Sequence, residues 1–422
     1  MNLETIVASN VKRLMINNHV TQNDLGDYLD LSRQTVAKYL KGNGTFDTVQ
    51  LVKLAHFFRV PIEQILAGTD EAEVKICYRA TENQSNFYSY GEELLRTYIK
   101  KFNSIAQAVG YYSVFIPEQY DLFATIRGEK INVNRELGRV IKQPEKLDEV
   151  IEKDILSIAD EQRANLSLQQ DGAISIIPAL EKKGIKVVFL DFDCNNVSGA
   201  SVCSESCGCF IFVNSNPNIT IERQIFTVAH EYGHILLHRP QYYNEYVEIN
   251  NKFYEDYLNH MANKFAARLV SPPSLYYQYA LELNQSANDL GKILPLALNI
   301  KHRVQLSLQS VMLSLRDNGY ISHEVVEDFY NLLDTSNARR TEPFPISENN
   351  EVWNSFLQRK NANVQELVER AYILKQINID DFAFLLGVNH EIAEKIVSGI
   401  EEKHNKMLDF TKINNQSPCT DS

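Results

Sequence analysis

The chain has no apolar run near the roughly 18 residues that a membrane-spanning helix needs. Its start, MNLETIVASN, lacks the basic, apolar and small-residue zones of an export signal. Only six cysteines occur in 422 residues, which excludes a disulfide-dense secreted scaffold; with no export signal, reduced thiols are expected. Net positive charge is lacking too. Lys and Arg total 42 against 54 Asp and Glu, a balance of −12, and this excludes a globally basic nucleic-acid coat. Low complexity and wholesale disorder are excluded because 20 Phe and 21 Tyr must be buried somewhere. At roughly 100–200 residues per domain, the length predicts about two to four domains. Together these features predict a soluble, cytoplasmic, multi-domain protein with no membrane partner.

The acidity is uneven. Residues 1–67 hold seven Lys and Arg against six Asp and Glu, a balance of +1, so the remainder carries −13. The first segment is therefore the one place for a phosphate-binding surface. It reads as five short helices, over 6–17, 21–29, 33–40, 48–58 and 62–66. Thr21 caps the second helix with Asp24 three residues on, and Ser32 caps the third. Two capped helices joined by a tight link form a helix-turn-helix signature. On the second helix of that pair, Arg33, Gln34, Thr35 and Lys38 are placed to reach a groove, while Val36, Tyr39 and Leu40 face inward. Arg and Gln can each make paired hydrogen bonds to base edges, and Gln22 opens the first helix where a backbone phosphate would lie. Ser32, Gln22, Arg33, Gln34, Thr35 and Lys38 are thus the candidate DNA contacts. The pattern TQNDLGDYLDLSRQTVAKYLKG resembles the Xre, or phage-repressor, family of helix-turn-helix domains, and the resemblance implies double-stranded operator DNA bound by a homodimer.

Residues 68–149 form a connecting region to which no chemistry can be assigned. Helices are expected over 154–164 and 172–183, strands over 184–190 and 209–213, and then a long helix; this order suggests an α+β unit with an antiparallel sheet. The long helix carries His230-Glu231-Tyr232-Gly233-His234. Histidines four apart present both imidazoles on one helical face, where zinc can accept two nitrogens and keep room for a third ligand and a water. Glu231 stands where a carboxylate can take the proton of that water as it attacks a peptide carbonyl. His238, a further turn along, lies too far up the axis to share the metal easily, so capping or hydrogen bonding is expected of it.

The run FTVAHEYGHILLH, with IADEQRANLSL and LEKKGIKVVF before it and ANKFAARLVSP after it, resembles the ImmA/IrrE family of zinc metallopeptidases. The resemblance implies a zincin-like domain that cuts a repressor or other regulator of a phage, mobile-element or stress circuit. It also implies Zn(2+) on His230 and His234, with Glu231 as general base. The family's third ligand, a glutamate, corresponds to Asn259 here. Asn259 is the favoured occupant of that position, with Glu255 one turn earlier and the adjacent His260 as alternatives, or else the site is degenerate. A non-catalytic repressor or antitoxin, whose peptidase-like domain senses a ligand or binds a toxin or other partner, is the competing function.

Cys194, Cys203, Cys207 and Cys209 cluster without the paired spacing of a zinc ribbon, so chance clustering is expected. The tyrosine-rich stretch 242–257 reads as a packed surface loop. Residues 378–399 repeat the pattern of 21–42: Asp381, Leu386, Lys395 and Gly399 match Asp24, Leu29, Lys38 and Gly42. Glu391 and Glu394 on its second helix would repel phosphate, so this second unit is expected to contact protein, as in dimerisation. The expected fold class is multi-domain α+β. An all-α helix-turn-helix domain (1–67) precedes the connecting region (68–149), a zincin-like α+β domain (150–340), a C-terminal helical module (341–410) and a polar, disordered tail (411–422).

Overall fold

A computed structural model describes residues 3–17, 20–29, 31–42, 44–58, 62–66, 77–80, 87–111, 114–126, 128–133, 147–168, 173–194, 197–204, 207–239, 252–279, 281–283, 289–335, 342–346 and 351–414. Of the tyrosine-rich stretch, 242–251 lie outside the described residues, and 252–257 are helical rather than a loop; the end of the polar tail, 415–422, also lies outside them, and 411–414 are helical rather than disordered. The chain divides into two compact units, Met1–Glu73 and Val74–Ser422.

The first unit contains α1 (Leu3–Asn17), α2 (Gln22–Leu29), α3 (Arg33–Leu40), α4 (Thr48–Phe58) and α5 (Ile62–Leu66). Local chemistry sets the helix starts. The Thr21 backbone N–H and hydroxyl both donate to the Asp24 carboxylate, at 2.9 and 2.7 Å, and the Thr35 N–H donates to the Ser32 hydroxyl at 3.1 Å. The link between α2 and α3 is tight at Gly26, where a Cβ would meet the Leu31 carbonyl oxygen at 2.8 Å. Only a residue without a side chain fits there. Val7, Val11, Leu14, Leu25, Leu29, Val36, Leu40, Leu54 and Ile65 close one core.

The second unit runs β1 (Cys77–Ala80), α6 (Phe87–Ala108), β2 (Phe123–Ile126), β3 (Glu129–Asn132), α7 (Glu149–Asn165), α8 (Ile176–Lys182), β4 (Lys186–Leu190), β5 (Val197–Ser204) and β6 (Gly208–Asn214). Helices follow: α9 (Ile221–Leu237), α10 (Lys252–Val270), α11 (Leu290–Val304), α12 (Leu308–Asp317), α13 (His323–Thr335), α14 (Glu351–Arg359), α15 (Ala362–Ile373), α16 (Ile379–Leu386) and α17 (His390–Asn414). The main sheet has the order β1-β5-β6-β4, and β2 and β3 form a separate hairpin.

The expected antiparallel sheet is in fact mixed. β5 and β6 form an antiparallel hairpin, but β6 inserts between β5 and β4, and so pairs with β4 in parallel. The two-residue period of the strands sends side chains to two separate cores. Val187, Phe189, Ile211 and Val213 pack with α7 and with α9 to α13. Val188, Leu190, Val202, Phe210 and Phe212 pack with α6 and with α15 to α17. On α6, Leu95, Tyr98, Ile99, Phe102, Ile105 and Ala106 make a buried helical stripe, and Val109 just after the helix extends it.

The C-terminal helices share this second core. Phe382, Leu385 and Val397, which the sequence repeat places on the apolar face of the second helix-turn-helix-like unit, are buried within the chain. Asn361 fastens the module to the sheet. It holds a left-handed backbone (φ 56°), and its amide accepts from the Phe189 N–H at 2.8 Å and donates to the Phe189 carbonyl at 3.0 Å. It thereby stands in for a strand at the edge of β4. Truncation after Ser347 is expected to uncover the apolar face of β4 to β6, and the truncated chain should be recovered insoluble or with ANS-binding surface. A soluble truncated chain with the native second unit's thermal transition would contradict this packing.

The expectation of reduced thiols is corrected at one pair. Cys203 and Cys209 face each other across the β5–β6 hairpin with Cα atoms 4.1 Å apart, and they are disulfide-bonded. Cys194 and Cys207 are free, and Cys207 points into the opposite core, so the four do not gather at one point. Among the described residues no helix is long and apolar enough to cross a membrane.

Candidate functional site

α9 carries His230, Glu231 and His234, and all three are buried. The helix starts cleanly because the Thr220 hydroxyl accepts from the Arg223 N–H. Ile225, Val228, Ile235 and Leu236 anchor it in the core. His230 Nε2 and His234 Nε2 lie 3.0 Å apart, and the Asn259 side-chain oxygen, from α10, lies 3.3 Å from His234 Nε2. His234 Nε2 thus lies close to both other atoms.

A contact behind each imidazole bears on its tautomer. His230 Nδ1 lies 2.9 Å from the Asn263 side-chain oxygen, which accepts its proton and leaves the Nε2 lone pair facing His234 Nε2. His234 Nδ1 lies 2.8 Å from His238 Nδ1. Burial, and then the neighbouring His234, hold His238 well below the usual histidine range, so it stays neutral and can accept the His234 proton. His238 also caps the C-terminus of α9, its backbone N–H bonding to the His234 carbonyl.

Two imidazoles at tetrahedral angles around zinc, each about 2.0–2.1 Å from it, have nitrogens about 3.3 Å apart. The two observed spacings, 3.0 and 3.3 Å, are close to that value, so two imidazoles and one amide oxygen could hold such a cation. No group of three or more His, Cys, Asp or Glu side chains that could hold a metal occurs among the described residues. Of the alternative ligands, His260 is depressed below the usual histidine range by burial and then by Lys264, with Glu152 opposing; its neighbourhood is α7 and the outer face of α10. Glu255 is half-buried one turn before Asn259.

Glu231 is held from the sheet side. The Ser201 hydroxyl, on β5, donates to Glu231 Oε2 at 2.7 Å. At Gly199, also on β5, a Cβ would lie 2.3 Å from Thr227 Cγ2 and 3.3 Å from Glu231 Cγ. The strand therefore lies directly on the helix beside the carboxylate. Gly199→Ala is expected to push β5 off α9, with a loss of about 1–3 kcal/mol in thermal or denaturant unfolding. Neither Ser201 nor Asn263 emerged from sequence reasoning. Asn263 follows Asn259 by one helical turn, a spacing that could have marked it.

In the first unit, Arg33, Gln34 and Lys38 are exposed on α3, whereas Val36 and Leu40 are buried beneath them. Ser32 and Thr35 bond to each other at the helix start, and Gln22 is half-buried at the start of α2. The corresponding helix of the C-terminal module presents a different surface. Lys395 pairs with Glu391 at 2.7 Å and His390 lies 3.4 Å from Glu394.

Residues 180–316 match the family model described as the IrrE N-terminal-like domain, a peptidase family, and residues 11–65 match a helix-turn-helix family model. One chain therefore joins a helix-turn-helix DNA-binding domain to a peptidase-like domain. No curated protein and no solved structure matches the chain. The peptidase match ends past α11 and includes β4 to β6, α9 and Asn259; the helix-turn-helix match includes every candidate DNA contact.

Proposed function

We propose that this chain is a DNA-binding regulator with a zinc-dependent endopeptidase domain that cleaves a partner repressor or other regulator protein. The observation that carries the reading is the close approach of His230 Nε2 and the Asn259 side-chain oxygen to His234 Nε2, on the helix that carries the Glu231 carboxylate. His230, His234 and Asn259 would hold the metal, and Zn(2+) bound there would supply a polarised peptide carbonyl and a more acidic water. Glu231, fixed by Ser201, takes the proton of the attacking water and returns it to the leaving amine. Asn263 and His238 hold the two imidazoles in the ligating tautomer. Burial of His230 and Glu231 keeps bulk water from competing for these contacts.

In this reading the first unit, as a dimer on operator DNA, brings the peptidase domain to its circuit. Arg33→Ala and Gln34→Ala are each expected to relax operator preference by about 1–3 kcal/mol. Affinity measured on operator and scrambled duplexes checks this; an equal loss on both would reduce these residues to phosphate contacts. The peptidase reading is tested by incubating the zinc-loaded chain with regulator proteins encoded beside it and looking for discrete fragments.

One observation favours a second reading. The third donor is a neutral amide, which binds zinc more weakly than a carboxylate. A chain that never retains zinc would be a non-catalytic repressor or antitoxin whose peptidase-like domain binds a partner or ligand.

A further inference from the structure

β5 is the strand that touches the metal centre, through Ser201 on Glu231 and the close approach of Gly199 to Thr227. One of its edges pairs with β6. A peptide that reaches the centre as an extended strand would add to the other edge, because an exposed sheet edge offers main-chain hydrogen bonds to any extended segment. That edge is taken. β1 (Cys77–Ala80) lies on it antiparallel, with Cys77 opposite Ser201, Tyr78 opposite Ala200, Arg79 opposite Gly199 and Ala80 opposite Val197. The residue facing Cys77 is thus the one whose hydroxyl holds the proposed general base.

Three further features set β1 apart from the strands of the core. It is four residues long, against eight in β5 and seven in β6. Among the described residues it pairs with β5 alone, and its register shifts between Arg79 and Ala80. It also begins four positions after Glu73, the last residue of the first unit, so among the described residues it is the first element of the second unit after the DNA-binding head. β5 itself, Val-Ser-Gly-Ala-Ser-Val-Cys-Ser, has small side chains that discriminate little between partner strands.

We propose that β1 is the chain's own occupant of the peptide-binding edge, and that an extended segment of a partner protein binds by replacing it antiparallel on β5. The partner surface is backbone, so its recognition chemistry is a strand-forming segment free of proline. The proposal deepens the peptidase reading by naming how its substrate is seated, and it makes access to the centre depend on release of β1.

The test needs neither metal nor turnover, so it stands or falls separately from the zinc reading. The probe is a synthetic peptide of residues 74–83 with Cys77→Ala, labelled with a fluorophore. In the full chain, Tyr78→Pro with Arg79→Pro removes two successive backbone N–H groups, of which one faces β5, and so displaces β1. This variant is expected to bind the peptide at least tenfold more tightly than the native chain. Equal binding by the two chains, or no binding by the variant, would overturn the proposal. Hydrogen exchange on the native chain guards against a variant that fails to fold. Saturating peptide should speed exchange of the Cys77–Ala80 amides while Val197–Ser204 stay protected, and unchanged exchange at Cys77–Ala80 would equally overturn it.

Discussion

Glu231→Gln is expected to lower peptide hydrolysis by about a hundred- to ten-thousandfold, the usual contribution of a positioned general base, with zinc content unchanged. The separation follows from the geometry. Glu231 is not among the proposed ligands; its carboxylate bonds to Ser201 on the sheet side, and the amide of Gln can still accept from that hydroxyl. The substitution is therefore expected to remove proton transfer without disturbing the proposed ligands or the packing of α9. Fragment appearance from a cleaved regulator, measured beside zinc content, checks both halves. Undiminished cleavage would remove Glu231 from the chemistry, and loss of zinc along with cleavage would make it part of the metal's support.

A second large effect lies away from the centre. Lys301 on α11 is fully buried and is ion-paired to Glu222, on the first turn of α9, and lies 3.6 Å from Glu342. Glu222 also accepts from the Ile346 N–H at 2.9 Å, and Glu342 accepts from the Leu308 N–H at the start of α12. Burial pushes Glu342 up from the usual carboxylate range, against the opposing pull of Lys301. One ammonium therefore ties the 342–346 segment, α11 and the start of α12 to the helix that carries the proposed metal ligands. Lys301→Met leaves two buried carboxylates without their cation, and a loss of about 3–5 kcal/mol of stability is expected. Adding Glu222→Gln and Glu342→Gln should recover much of it, because the stranded charge, rather than the missing contact, carries the cost. Denaturant unfolding of the single and triple variants checks this. A single variant within about 0.5 kcal/mol of native would show that water reaches the triad.

The sequence was most informative where structure is set by neighbours along the chain. Thr21, Asp24 and Ser32 act within three residues, and α2 to α5 lie where caps and apolar spacing place them, with α1 starting three residues earlier than read. The paired histidines were legible because a helix fixes side chains four apart on one face. The other half of the site was not. β5 is rich in Ser, Gly and Ala and buried along its whole length, so it shows neither alternation nor β-branched bulk, and Ser201 was lost with it. β1 is defined by pairing with a strand more than a hundred residues away, which no local pattern announces. The stripe on α6 is present in the sequence as Leu95, Tyr98, Phe102 and Ile105, but no local pattern marks its partner, the far face of the sheet. The C-terminal repeat was legible as a helix pair, whereas its intramolecular use of Phe382 and Leu385 depends on that same face.

The most direct test of the account is zinc stoichiometry on the purified chain beside His234→Ala. The account predicts about one zinc per native chain and none in the variant, since His234 Nε2 is the atom shared by both short spacings at the centre. No zinc in either chain would contradict it, and would leave a DNA-binding regulator with a peptidase-like domain that does no metal chemistry.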